Sequence, residues 1–198
     1  GYECVNSTWY FYDSFEENDV RKTYLVTSYQ AQNGEIVDRE NPSSHLELGP
    51  IPLKYGYDTN VTGNGGKSSI DPIIYRLADV YLTLAEALYL KPGSSAADKE
   101  EAMTHINTIR NRAGLDGISN SEVNTEEKFV EILLKQRSHA LWCENGQYRA
   151  DLIRFNKFVE HAETVKGTAY ANKNKELYPL PLPAINDGKG LVTQNPGY

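Results

Sequence analysis

No window of about 18 uninterrupted apolar residues occurs in this chain, which excludes a helical membrane span. Cysteine is nearly absent: Cys4 and Cys143 are too few for a disulfide framework or a zinc site. Cys143 stands in an apolar helical context and is expected to be a small buried hydrophobe. Cys4 lies near the start, but the preceding Gly-Tyr-Glu lacks the apolar run and small residues of a lipid-attachment signal. No signal peptide is visible and the first residue is Gly1, so the sequence reads as a processed chain or an excised fragment. Positive charge is also short. Twenty Lys and Arg face 27 Asp and Glu for a net charge of -7, and a nucleic-acid partner would need clustered cations.

Chemical signatures are missing too. His45, His105, His139 and His161 are scattered without ligand spacing, so nothing calls for a metal ion or other cofactor. There is no Gly-x-Ser-x-Gly and no Walker loop, and the Gly-rich stretch Thr62–Gly66 lacks the offset of a phosphate cradle. Twenty-seven acids allow many carboxylate pairs, yet none can be singled out for glycosidase chemistry, so an enzyme is not expected.

What the sequence does hold is tyrosine: 14 Tyr against 5 Phe and 2 Trp. Tyrosine offers an apolar face with a polar handle, suited to half-exposed surfaces and polar ligands. The stretch "NSTWYFYDSFEEND" groups Trp9, Tyr10 and Tyr12 with acids, a pairing in which aromatic faces stack on sugars while polar groups bond the hydroxyls. The alternative is an amphipathic segment docking its aromatics on the helices. Tyr55 and Tyr57, beside Lys54 and Asp58 in a loop-rich region, form a second candidate contact.

The chain, taken as a single domain over 1–198, divides into three stretches. Residues 1–70 are irregular and strand-leaning, with a hairpin expected around Asn33-Gly34 and loop from Asn41 onward, the Thr62–Gly66 stretch especially mobile. Residues 71–160 are helical. Asp71-Pro72 signals a helix start, and Ile73, Leu77, Val80, Tyr81, Leu84 and Leu88 follow as its apolar stripe up to Lys91-Pro92-Gly93. Ala85 and Ala87 would let a neighbour approach closely. A second helix starts near Ser95 with Asp98 as capping partner, carries Ala102, Ile106, Ile109 and Ala113, and stops at Gly114. A third starts at Thr125 with acids Glu126 and Glu127 in its first turn, and its stripe holds Phe129, Ile132, Leu133, Gln136 and Ala140. Asn145-Gly146 would end it, and a fourth helix would run from about Gln147 to Val159. The fold class expected is therefore mainly α: tetratricopeptide-like helical hairpins, an irregular strand-containing N-terminal region, and a Pro-rich C-terminal tail over 161–198 on an extended path.

Several segments together resemble one family. "YDSFEENDVRK", "PLKY", "IIYRLADVYLTLAEAL", "INTIRNRAGL", "ENGQYRADLIRFNKF" and "LYPLPLPAIN…LVTQNPGY" are similar, in order, to the motifs of the SusD/RagB family, outer-membrane nutrient-binding lipoproteins of Bacteroidetes polysaccharide-utilisation systems. The match spans about residues 8–198 and corresponds to the C-terminal portion of longer family members. Gln136 and Ala140 stand where acids are common, and an extra residue lies between Glu144 and Asp151. The resemblance implies a non-catalytic, surface-exposed glycan-binding protein of the outer membrane. It would cooperate with a SusC-like TonB-dependent porin in oligosaccharide uptake, associated with the membrane only through an N-terminal lipid anchor absent from this chain. A helical-repeat scaffold for protein partners, with no ligand of its own, is the alternative. Arg76, Asp79, Glu86, Arg110, Glu144, Arg149, Asp151 and Arg154, the charged residues of these motifs, are expected to lock the helices structurally rather than to touch sugar. Arg154, three residues after Asp151, can meet it on one helix face.

Overall fold

The structure is a computed structural model that describes residues 6–43, 46–56, 58–60, 69–144 and 146–198. The chain packs as two compact units, Gly1–Gly146 and Gln147–Tyr198. In the first, a short helix α1 (Trp9–Asp13) is followed by a 3-10 turn (Val20–Tyr24) and four two-residue strands: β1 (Leu25–Val26), β2 (Tyr29–Gln30), β3 (Ile36–Val37) and β4 (Ile51–Pro52). Three long helices complete it: α2 (Leu77–Leu90), α3 (Ala96–Arg112) and α4 (Glu126–Leu141). The second unit holds α5 (Gln147–Arg154), α6 (Phe158–Lys166) and α7 (Leu182–Asp187).

The expected hairpin forms: β2 pairs antiparallel with β3 around Asn33-Gly34, whose glycine sits at φ 88°, a left-handed conformation that favours glycine. The run before it does not join this hairpin. β1 instead pairs with β4, Leu25 opposite Pro52. The stretch expected to be loop thus contains a strand, and Leu46, Gly49 and Pro50 within it are buried. Thr62–Gly66 lies outside the described residues.

Local caps set the ends of α3 and α4. Ser95 and Asp98 form a reciprocal capping box, the hydroxyl accepting from Asp98 N–H and the carboxylate from Ser95 N–H. Past the other end of α3, Leu115 N–H donates to Arg110 O while Gly114 takes φ 78°. Thr125 caps α4 by accepting from Lys128 N–H.

Helix α2 departs from expectation twice. It begins at Leu77 rather than at Asp71-Pro72, because Arg76 is held extended (φ -150°, ψ 167°) where its guanidinium reaches Glu144. Its buried stripe is Ala78, Leu82, Ala85 and Tyr89, while Leu77 is 63% and Val80 56% exposed, and Leu84 is exposed as well. Apolar residues occur on nearly every side of α2, so periodicity alone selects no face. The buried side is the one where alanines admit α3 and where Asp79 meets Arg137 of α4 at 3.2 Å. Ala85 is fully buried there, whereas Ala87 is exposed. Tyr89 stacks on Phe129 of α4 at 3.8 Å, and Tyr81 on His105 of α3 at 5.3 Å. Ala102, Met103, Ile106 and Ile109 of α3 and Phe129, Ile132 and Leu133 of α4 complete this core. Burying a side chain of that size is worth roughly 1.5–3 kcal/mol.

Three further expectations are corrected. Cys143 is exposed, not buried, because α4 ends at Leu141 and Cys143 turns left-handed at φ 58°. The expected fourth helix breaks into α5 and α6 at Asn156, which takes φ 56°. The tail is not simply extended: α6 runs to Lys166, 3-10 turns form at Thr168–Tyr170 and Lys173–Glu176, and α7 follows. Pro181 stands at the N-cap of α7 and Pro183 in its first turn, where no helical N–H donor is required.

Candidate functional site

Helix α1 divides its aromatics between two faces. Thr8 caps it by accepting from Phe11 N–H. Phe11 and the following Phe15 turn inward: Phe15 stacks flat on His139 at 3.9 Å, and Phe11 meets Phe15, His139 and Trp142 by edge or tilt. The imidazole of His139 bonds Ser14 Oγ at 2.8 Å, and burial pushes its pKa down to about 3, so it is neutral at pH 7. The docking of aromatics on the helices therefore applies to Phe11 and Phe15.

The other face reaches solvent. Tyr10 is 45% exposed. Trp9 is half-buried, donates its indole N–H to Leu46 O at 3.2 Å, and meets Tyr12 edge-on at 5.9 Å. The Arg39 guanidinium lies 4.6 Å over the Trp9 ring and forks onto Asp13, with two N–H···O bonds of 2.9 Å. Lys22 sits 4.3 Å over Tyr12. The result is a surface patch of three aromatic rings beside a bidentate Arg–carboxylate pair. Tyr55 is elsewhere: its hydroxyl donates to Cys143 O at 3.0 Å, and burial raises its pKa. Tyr57 lies outside the described residues.

The charged motif residues resolve into separate ties. Glu144, 6% exposed, accepts two bonds from Arg76 Nε, at 2.9 and 2.8 Å, and an ion pair from Lys54. Lys54 also donates to the carbonyls of Ala140 and Trp142, at 2.9 and 2.7 Å, and Arg76 to that of Ala140. Those carbonyls belong to the open C-terminal end of α4, where cations satisfy orphan acceptors. Arg110 forks onto Glu16 at 2.8 and 3.0 Å, and this bond holds the Glu16 carboxyl below its usual pKa. Asp79 pairs with Arg137, and Glu86 is half-buried on α2. Within the second unit, Asp151 is buried and accepts from Arg154 at 3.0 and 2.8 Å. Arg149 stands apart from that pair, donating to the carbonyls of Lys175 and Glu176 and lying 4.1 Å over Tyr178.

Sequence reasoning passed over a third feature. A cavity of about 390 Å³ opens among the turn at Val20–Tyr24, the segment before α2, and the C-terminal ends of α3 and α4. Arg21, Lys54, Arg76, Arg112, His139 and Glu144 line it. Asp19 and Arg21, both buried, pair at 2.6 Å, and Arg21 also reaches the amide oxygen of Gln136 at 3.3 Å. Gln136 thus accepts from an arginine in the core. The excess of cations in one place was the available signal, but it becomes visible only when four distant segments fold together. Among the described residues, no group of three His, Cys, Asp or Glu side chains is arranged to hold a metal ion. Among them too, no helix is long and apolar enough to cross a membrane.

Comparison with known proteins agrees with the ordered motifs. The chain is 27% identical to SusD-like protein P2 of Formosa agariphila over 94% of its own length and 39% of that protein. It is 29% identical to the starch-binding protein SusD of Bacteroides thetaiotaomicron, over 63% of this chain and 21% of that one. The chain therefore spans well under half the length of the curated relatives it matches. Among solved structures, surface glycan-binding protein A from Bacteroides thetaiotaomicron superposes with a TM-score of 0.60 at 24% identity, covering 94% of this chain and 40% of that one. The protein of the same name from Bacteroides uniformis gives 0.63 at 20% identity, over 96% and 40%. At these identities the superpositions speak for the fold. The sequence model of the SusD family matches residues 5–198, and the chain belongs to that family.

Proposed function

We propose that this chain is part of a cell-surface glycan-binding protein, non-catalytic, that delivers oligosaccharides to a SusC-like TonB-dependent porin of the outer membrane. The observation that carries the reading is the α1 patch in a chain of the SusD family: Tyr10, Trp9 and Tyr12 beside the Asp13–Arg39 pair. The exposed Tyr10 ring supplies stacking area, and the Asp13–Arg39 pair, with side chains 49% and 51% exposed, leaves donors and acceptors within reach of sugar hydroxyls. Tyr55 belongs to a second, separate contact. Asp79, Arg110, Glu144, Asp151 and their partners serve as clamps, since their polar atoms are spent on one another and on helix ends.

Calorimetric titration of the full-length protein with a panel of neutral oligosaccharides tests this. Binding should appear without turnover, and Tyr10→Ala should weaken it roughly tenfold, the upper range for one aromatic contact, with melting temperature unchanged. Absence of binding to every glycan, with porin association retained, would favour the scaffold reading. Turnover abolished by replacing Glu144 or Asp151 would refute the non-catalytic one.

A further inference from the structure

The cavity lined by Arg21, Lys54, Arg76 and Arg112 is electrostatically out of character with the rest of the molecule. The chain carries a net charge of -7, yet here four cations converge on two carboxylates, Glu144 in the lining and Asp19 bonded to Arg21. Two positive charges are left over.

Their partners can be traced one by one. Asp19 takes Arg21 through its Nε and one terminal nitrogen, at 2.8 and 2.6 Å. Glu144 takes both Lys54 and Arg76 and lies almost wholly buried beneath them. Lys54 spends its remaining donors on two carbonyls. The side chain of Arg112, at the last position of α3, is exposed and makes no hydrogen bond or ion pair with any described residue. Partial burial and the nearby Arg76 and Arg21 charges lower its pKa, against the opposing pull of Glu144. His139 is neutral and offers no negative charge. Arg112 stands exposed at the rim beside the Arg76 and Arg21 charges, with Glu144 already bound to Arg76 and Lys54, so an incoming anion would relieve a like-charge repulsion that Glu144 offsets only in part.

The cavity's size suits such a visitor, because ligand pockets run roughly from 300 to 1,000 Å³. Its donors suit a planar or tetrahedral oxyanion: Arg112 presents a whole unbonded fork, and guanidinium forks match carboxylate and sulfate oxygens two at a time. Trp142 and Tyr24 add aromatic surface to the lining. We propose that this cavity is an anion-binding site, built for the carboxylate or sulfate group of an acidic sugar, with Arg112 as its principal contact. The sugar part of this inference rests on the glycan-binding reading above, while the anion part does not.

Two measurements separate them. For the anion, the melting temperature of the protein is followed with sodium sulfate against sodium chloride at equal ionic strength, in wild type, Arg112→Ala and Arg112→Lys. Sulfate strengthens burial in most proteins by exclusion, so the readout is the difference between variants. Wild type should gain more from sulfate than Arg112→Ala, with Arg112→Lys in between. Equal gains in all three would overturn the site. Because Arg112 has no partner to lose, Arg112→Ala should fold.

For the sugar, methyl glucuronide and methyl glucoside are compared by calorimetry at low salt. The glucuronide should bind the tighter, and Arg112→Ala should weaken it by roughly tenfold or more, the range for a charged hydrogen-bond partner. Equal binding of the two sugars, or glucuronide binding untouched by Arg112→Ala, would overturn the acidic-sugar assignment and leave neutral-glycan binding at α1 standing. No sugar of either charge bound, while the sulfate difference persists, would overturn the glycan reading and the sugar assignment together.

Discussion

Replacing Glu144 with Ala should destabilise the protein substantially. The carboxylate side chain is 4% exposed, and the cations above it, Lys54 and Arg76, are 15% and 22% exposed. Removing it deprives both of their counter-ion while Ala140 and Trp142 still hold them by their carbonyls. Breaking a buried pair on one side costs about 3–5 kcal/mol, because a charge is left behind out of water. Partial solvent access places the value near the lower end, about 3 kcal/mol. For a chain of this size each kcal/mol moves the melting temperature by about 2–4 °C, so a fall of about 10 °C should follow. Urea unfolding monitored by tryptophan fluorescence reads it directly, since Trp142 lies beside the cluster. The double variant Glu144→Ala with Lys54→Met should lose less than the two single losses combined, as the orphaned ammonium is then gone. A loss under about 1 kcal/mol, the level of an exposed surface pair, would refute the claim that this tie is buried and structural.

Stability should also fall on acidification through His139. Its folded pKa of about 3 lies below the unfolded value near 6.5, so between these pH values the unfolded state binds a proton that the native state does not. Native stability therefore drops as pH falls from about 6.5, by about 3 kcal/mol at pH 4, and unfolding curves of His139→Asn should lack that part of the slope. Ser95→Ala should cost about 1 kcal/mol by opening the α3 capping box, read as a small fall in denaturant midpoint with unchanged slope. Gly49→Ala should cost about 2 kcal/mol or more, because at φ 150° an added Cβ would collide with the Ser7 backbone carbonyl, and thermal unfolding would show it.

How much of this was legible in the sequence depends on the range of the forces involved. The ends of α3 and the start of α4 were readable because Ser95, Gly114 and Thr125 act on neighbours within one turn. The start of α2 was not. Asp71-Pro72 carries a good local signal, but Arg76 is pulled into extended backbone by a carboxylate 68 positions later. The same holds for its buried face, which Asp79 helps set by pairing with Arg137, 58 positions later on α4. In the tail, Pro181 and Pro183 argue locally against a helix, although at an N-cap and in a first turn they break nothing. The α1 aromatics stand out in the sequence as a group, yet which ring faces in or out depends on Arg39 and His139, far along the chain. The cationic cavity was beyond reach for the same reason.

The ties that seat the N-terminal segment on α4 also bear on the order in which the protein assembles. Ser14 meets His139 across 125 positions, Arg21 meets Gln136 across 115, and Lys54 reaches Trp142 across 88. Each closes a long loop whose entropy must be surrendered before the contact returns anything. The α2–α3 hairpin, joined by Lys91–Ser95, needs no such closure. Assembly should accordingly begin with the helices and finish with the N-terminal segment settling over them. Variants such as Ser14→Ala would then speed unfolding and leave the refolding rate nearly unchanged, and a matching slowdown in refolding would reverse that order.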